Sequence, residues 1–440
     1  YWENNTVPIH DDRLEKVLNV DSFRMPAGPD GAKYNDGIAY VRFPEWYFCP
    51  KCRRFMPVMD WVSEYNRSGF KRDSNEDMTS KLMCPKDRSQ LVPARIVTAC
   101  SHGHIDDFPW VKWVHCKNMG GGPKPVCQHP ALKIYTSSTS SEGLEGLTLE
   151  CTACHAKATL KDAFNKNIFK ELDEKHDHKY DFTCTGRHPW KNVREDCLLY
   201  PKVLQRGSSS VYFPVTVSSL VIPPYSSELN RRINESEKYT LYLNACSEIR
   251  KYIKDKDQLE NALKDIMNEY AEQIAMEIHV MDSNQVLTIL KRKGEIFRSD
   301  DTDTSGVGYK SEEYDALSGK INIPSMGHDD FIREPMNIKE YDMPFIKDIV
   351  LVHHVREVQA LIGFSRIDPV DSSAMRNGSL NFVSVKDPET RWYPGYNVYG
   401  EGIFIEFDEE AIDKWRNGNK WLMERVELIN KNYANSFFGS

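Results

Sequence analysis

Eleven cysteines, at positions 49, 52, 84, 100, 116, 127, 151, 154, 184, 197 and 246, set the chemistry open to this chain, and ten of them fall in its first half. An odd count, two C-x-x-C pairs and neighbouring histidines suit a reduced intracellular protein that uses thiolates as metal ligands better than they suit a disulfide framework. The first pair stands in "FPEWYFCPKCRRF". Such a turn lets both sulfurs face one ion while its backbone N–H groups point at the thiolates, and zinc takes four such ligands tetrahedrally. Cys49 and Cys52 are thus half a site. The same C-P-K turn recurs at Cys84, with Asp87 where a second thiolate would stand. The fourth ligand is then either an oxygen of Asp87 or a side chain from elsewhere, Cys100 and His104 being nearest.

The second pair, Cys151 and Cys154 in "ECTACHAKATL", is followed by Cys184 and Cys197. Two thiolates on a knuckle and two from a later segment are what a ribbon-type zinc site requires, with the intervening "LKDAFNKNIFKELDEKHDHKY" as a helix-like excursion. A thioredoxin-like dithiol would need the pair at the start of a helix after a strand in a compact α/β unit, a setting neither pair has.

Between the pairs lies "LVPARIVTACSHGHIDDFPWVKWVH", residues 91–115. Cys100, His102, His104, His115, Cys116 and Cys127 offer ligands for a third site, with Cys100, His104, His115 and Cys127 as further candidates beside the two pairs. Asp106 and Asp107 would orient such a site or serve as a base. A zinc-dependent nuclease or hydrolase centred on Cys100, His104, Asp106, Asp107 and His115 is the alternative reading, although no H-E-x-x-H pattern occurs. The competing reading is structural: histidines satisfied by carbonyls and a "DDFPW" turn whose aromatics enter the core.

These side chains must be positioned by a chain of 440 residues with 40% apolar content, enough for two or three cores. The reading is α+β and multidomain. An N-terminal segment (1–48), taken as truncated, precedes cysteine-rich zinc-binding modules (49–205), a strand pair and helical region (206–297), a polar loop (298–311) and an α/β region ending in a helix (312–440). In "QLENALKDIMNEYAEQIAMEI", Leu259, Leu263, Ile266, Tyr270 and Ile274 share one helical face. "RGSSSVYFPVTVSSLVIPP" reads as the strand pair. "DTDTSGVGYKSE" has calcium-loop residues at several positions but Gly at position eight and no second hand, so it reads as a polar loop. His353 and His354 read as ordinary residues. No phosphate-binding loop for ATP appears, and no membrane span or secretory leader. The Tyr at position 1 and the closing "NSFFGS" read as the limits of a piece of something longer.

A formal net charge of −8 argues against grip on nucleic acid through a global positive field. Any DNA contact would be local, with Arg53, Arg54, Arg206, Arg231 and Arg232 as candidates for phosphates. The short run "KRK" at 291–293 reads as solvated surface.

"RFPEWYFCPKC", "LVPARIVTACSHGHIDDFPWVKWVH", "RGSSSVYFP…SSLVIPP", "LIGFSRI" and "WYPGYNVYGEGIFIEF" occur in order from near Trp46 to near Phe407. Together they resemble the DrmB family of the DISARM anti-phage defence system, which shares a domain with MrfA-type repair helicases. The resemblance implies a cytoplasmic bacterial protein, non-catalytic itself, that pairs as a heterodimer with the helicase-like ATPase DrmA and helps that complex engage foreign DNA in a restriction-modification-like defence. It also implies that Cys49, Cys52, Cys84, Cys151, Cys154, Cys184 and Cys197 fall at the family's zinc-type positions. Asp87 departs from the expected paired cysteine, and the family's portion beyond the "GEGIFIEF" strand has no counterpart here.

Overall fold

The computed structural model describes residues 6–26, 40–68, 82–136, 146–191, 194–298, 307–320, 330–370, 382–387 and 389–434. It is α+β, as read from the sequence, and divides into two compact units. One comprises Pro29–Val215 with Ile362–Asp387, the other Trp2–Gly28, Thr216–Leu361 and Pro388–Ser440. Composition suggested cuts near 205, 297 and 311, but each unit gathers stretches that are remote in the chain.

In the first unit, an antiparallel sheet runs in the order Lys157–Thr159, Leu147–Cys151, Leu132–Thr136, Arg54–Pro57, Trp46–Phe48 and Val92–Pro93. A smaller sheet pairs Ile96–Ala99 with Lys202–Gln205 and with Ile105–Asp107. Its core is aromatic. The helix Trp110–Cys116 buries five of its seven residues, and Phe55 meets Trp110 edge-on at 4.9 Å while Phe108 meets Trp113 at 5.2 Å. Such pairs contribute about 0.5–1.5 kcal/mol beyond their buried area. The Trp113 Nε1–H donates to the Thr159 carbonyl at 2.9 Å, so the indole is buried with its polar atom satisfied. The excursion between Cys154 and Cys184 carries a helix, Ile168–Lys175, whose Phe169 stacks on Phe182 at 5.1 Å.

In the second unit, the strands lie in the order Thr6–Ile9, Ser22–Pro26, Trp392–Phe407, Ile346–Ser365 and Phe213–Leu220. The apolar periodicity after residue 226 produces four helices, Glu228–Glu235, Glu237–Tyr252, Lys256–Glu277 and Ser283–Arg298. The first three are capped by side chains of Ser227, Ser236 and Asp255 that accept a backbone N–H three residues on. Ile233, Ile274, Val286 and Leu290 fill the space between them.

Several expectations need correction. Within the 1–48 segment, for which no contacts were expected or excluded, Arg13 is 3% exposed and donates to Ser219 Oγ at 2.9 Å and the Tyr309 carbonyl at 3.0 Å. Lys293, from the supposed surface run, is also 3% exposed and donates to Asp12 and Asn234, each at 2.7 Å. A buried charge of this kind persists because it is paired and hydrogen-bonded. The stretch 206–224, expected to be a strand pair, holds one strand, Phe213–Leu220, beside Ile346–Ser365, preceded by a short 3-10 turn, Ser209–Val211. Within the expected polar loop (298–311), Arg298 ends the helix Ser283–Arg298, residues 299–306 lie outside the described residues, and 307–311 open a helix, Val307–Ser318. The calcium-loop reading falls across that stretch. The chain's last described elements are two helices, Glu409–Gly418 and Lys420–Ala434, where one was expected. Among the described residues no helix is long and apolar enough to cross a membrane.

Candidate metal centres

Three turns of one kind begin the ligand sets. At Cys49, the Arg53 N–H donates to the Cys49 carbonyl and the Cys49 N–H to the Arg54 carbonyl, both at 3.0 Å. Arg88 and Ser89 close the turn at Cys84 in the same way, and His155 and Ala156 the turn at Cys151. Each turn passes through one left-handed residue, Arg53 (φ 62°), Arg88 (φ 51°) or His155 (φ 59°). The common geometry makes Asp87 the positional equivalent of Cys52 and Cys154.

The first cluster joins Cys49, Cys52, Cys84 and Asp87. Cys49 Sγ lies 3.3 Å from Asp87 Oδ2, Cys84 Sγ 3.6 Å from the same oxygen, and Cys52 Sγ 3.9 Å from Cys84 Sγ. The Cys49 thiol is pushed up to about 12 by burial, while the thiol hydrogen bond from Cys49 holds the Asp87 carboxyl below its usual range.

The remaining ligands do not form the single ribbon read from the sequence. Cys184 and Cys197 join Cys100 and His104, whereas Cys151 and Cys154 join His115 and Cys127. In the second cluster His104 Nδ1 is 3.4 Å from Cys100 Sγ and 3.6 Å from Cys184 Sγ. In the third, His115 Nε2 is 3.3 Å from Cys154 Sγ, and Cys127 Sγ is 3.6 Å from Cys151 Sγ. Strand register explains the third grouping: Leu132 sits opposite Cys151, so the segment before it, with Cys127, lies beside the knuckle.

Each histidine is oriented by its other nitrogen. His115, fully buried, donates from Nδ1 to the Val111 carbonyl at 2.7 Å, one helical turn back. His104 donates from Nε2 to Glu195 at 3.2 Å, and the other oxygen of Glu195 lies 3.4 Å from His188 Nε2. Such partners fix tautomer and ring direction in metal sites.

The donor sets are those zinc takes. A tetrahedron of the usual zinc bond lengths has edges of roughly 3.8 Å between two sulfurs and roughly 3.6 Å between sulfur and nitrogen. The quoted separations scatter about these values, and in each cluster all four donor atoms lie within 4.8 Å of one another. None of the eleven cysteines is in a disulfide. In the second cluster Cys100 and Cys184 share a hydrogen bond that draws the first thiol down and pushes the second up.

Basic side chains stand beside the thiols. Arg54 is held to Glu64 at 2.7 Å and over the Trp61 ring at 5.0 Å; burial opposes its charge, and hydrogen bonds to Cys52, Glu64 and Cys84 outweigh that. Arg366, 6% exposed, donates from Nε to the Gly103 carbonyl at 2.7 Å and from Nη1 to the Val211 carbonyl. Its guanidinium lies 4.7 Å from the Phe364 ring centroid. Burial draws it down to about 10, and among the described residues no carboxylate pairs with it. Gly103 has φ +82°, and a Cβ there would run into Val383, so the loop between Cys100 and His104 is packed against the segment that carries Arg366.

The residues of the nuclease reading are not gathered at one place. His104 and His115 belong to different clusters. Asp106 accepts from Thr185 Oγ1 at 2.7 Å and Arg187 Nη1 at 2.8 Å. Asp107 accepts the N–H groups of Glu45 and Trp46 at 2.9 and 3.2 Å, and burial pushes its carboxyl up to about 6. These hydrogen bonds hold sheets and turns in place. The cavity they border measures about 40 Å³, room for one or two waters. His102 lies 3.7 Å from Cys197 outside the four-donor set, and Cys116 is buried in the aromatic core, where burial pushes its thiol up to about 11.

Of the arginines proposed for DNA, Arg231 and Arg232 both pair with Glu228 and Arg54 with Glu64. Arg53 and Arg206 are exposed. His353 lies on a strand, 3.1 Å from Glu334.

Comparison with known proteins agrees with the motifs. A family described as a domain of unknown function, DUF8724, matches residues 1–213. The DISARM protein DrmB of Bacillus paralicheniformis is 29% identical over 454 residues, covering 99% of this chain and 70% of that protein. The resemblance to DrmB read from the sequence is borne out.

Proposed function

Proceeding from that likeness to DrmB, we propose that this chain is a zinc-stabilised, non-catalytic partner subunit of a DrmA-like helicase or translocase, helping the complex engage foreign DNA in bacterial anti-phage defence. The single observation that carries the reading is the match to a DISARM protein along 99% of the chain. The site geometry supports it. Each cluster presents four converging donors, the closed arrangement of structural rather than catalytic zinc.

Zinc bound there would cross-link turns and loops to the packed apolar clusters beside them. Cys49, Cys52, Cys84 and Asp87 would tie the first two knuckles together. Cys100, His104, Cys184 and Cys197 would tie the smaller sheet to the loop before Lys202, and His115, Cys127, Cys151 and Cys154 would tie the tryptophan helix to the larger sheet. The product is a rigid surface for a partner. The complex is taken to be a cytoplasmic heterodimer that meets DNA mainly through the ATPase.

The test is a native pull-down of the protein from its host with mass spectrometry of what accompanies it. A helicase-like ATPase in near-equal amount is the expected result. Recovery of the protein alone, from cells that express such an ATPase, would overturn the proposal.

A further inference from the structure

Beside the first cluster lies an open cleft of about 670 Å³, bordered by Cys52, Arg54, Glu64, Arg67, Lys86 and Lys133 among others. Arg54 and Lys133 are directly opposite each other on neighbouring antiparallel strands. Like charges in that relation repel; on its other side Lys133 faces Glu150, a carboxylate that Lys157 Nζ approaches at 3.3 Å and to which the Tyr135 hydroxyl donates at 3.0 Å. Among the described lining residues Glu64 is the one carboxylate, and Arg54 already engages it at 2.7 Å. Arg67, Lys86 and Lys133 are exposed, and among the described residues none of the three forms an ion pair. Lys51 and Arg53 are exposed on the adjoining turn. A loaded cluster of three thiolates and one carboxylate would carry an excess negative charge of two, which these cations outnumber. The concentration is local: the whole chain has a formal net charge of −8.

We propose that this cleft is a phosphate-backbone site for nucleic acid, built on the first metal knuckle. The inference deepens the proposed function and rests on it. Arg67, Lys86 and Lys133 are point contacts for successive phosphates, while Arg54 serves the cluster below and contributes field rather than a free hydrogen-bonding fork. The cations are spread along an open depression instead of converging on a closed pocket, which suits a repeating polyanion better than a lone phosphate ion. Among the described residues the lining has no aromatic ring for stacking a base and no Asn or Gln to read one, so binding is expected to be independent of sequence.

The test is fluorescence anisotropy of labelled single-stranded and duplex DNA with the full chain across a salt series. The wild type is compared with Arg67→Gln/Lys86→Gln/Lys133→Gln, and both proteins are checked for equal metal content. The wild type is expected to bind at low salt. The triple variant is expected to bind at least tenfold more weakly, with a salt slope shallower by roughly two to three, since each neutralised phosphate contributes about 0.7–0.9. The salt slopes on the two DNA forms separate a single-strand site from a duplex site. Equal binding by variant and wild type, or no binding by the wild type at low salt, overturns the site. Co-purification of the ATPase is read on the same variant and is expected to persist. Failure of the cleft with the ATPase retained leaves the subunit reading standing, whereas absence of the ATPase from both proteins counts against that reading.

Discussion

Replacing Cys154 by alanine, and separately Cys197, is expected to remove one metal ion each, and replacing both to remove two. The two cysteines belong to different four-donor sets, and a site reduced to three donors holds zinc much less firmly. Each single loss should also leave two further thiols open to a thiol reagent, Cys127 and Cys151 in one variant and Cys100 and Cys184 in the other. The double variant should release all four. Both positions are half-buried, so side-chain removal itself makes a small cavity and the metal dominates the outcome. Structural zinc contributes on the order of 10–16 kcal/mol in isolated zinc fingers, comparable to the roughly 5–15 kcal/mol stability of an entire domain. The double variant should therefore lose the cooperative unfolding of the first unit. Metal analysis after exhaustive buffer exchange, with thiol titration on the same samples, reads the result. Independent sites give additive losses. If the double variant loses the same single ion as either parent, the four cysteines 151, 154, 184 and 197 form one site and their division between two clusters is wrong.

Arg366→Gln should destabilise the first unit by about 2–4 kcal/mol, because it removes charge-assisted hydrogen bonds to the Gly103 and Val211 carbonyls; urea unfolding with metal retained measures it, and a change below about 0.5 kcal/mol would contradict the role. Asp87→Cys should slow metal release from the first cluster to a chelator, since the residue already occupies the position of Cys52 in a matching turn; faster release would refute that equivalence. Glu15 is raised from 4.5 to about 7 by burial, opposed by its hydrogen bond with His10. Its folded form therefore holds the proton more tightly than the unfolded chain, and its contribution is present below about pH 4.5 and lost as pH rises through about 7. Glu15→Gln should flatten that fall in the pH dependence of denaturant midpoints for the second unit, and an unchanged profile would count against it.

The three knuckles were legible because a C-x-x-C turn is a local pattern, and the Cys84 turn could be recognised even with Asp87 in place of the second sulfur. Which knuckle shares an ion with which remote ligand was not legible. That depends on the pairing of Leu132 with Cys151 and on a loop that brings Cys184 to His104, facts of sheet register rather than of spacing. The helices after residue 226 followed from apolar periodicity. The burial of Lys293 did not, since its acceptor Asp12 lies 281 positions away and a run of basic residues looks the same whether solvated or paired. For Asp106 and Asp107, adjacent carboxylates suggest acid–base chemistry until their acceptor capacity is seen to be taken by Arg187, Thr185 and two backbone amides. The chain order of "LIGFSRI" gave no hint that Arg366 would reach the loop between Cys100 and His104.

Native mass spectrometry of the chain co-expressed with the helicase-like ATPase of its own host tests the central claim most directly, because one spectrum reports both partner and metal. The account predicts a single species with one copy of each protein and three zinc ions on this chain. A chain that stays apart from the ATPase, or one that folds and carries no zinc, would contradict it.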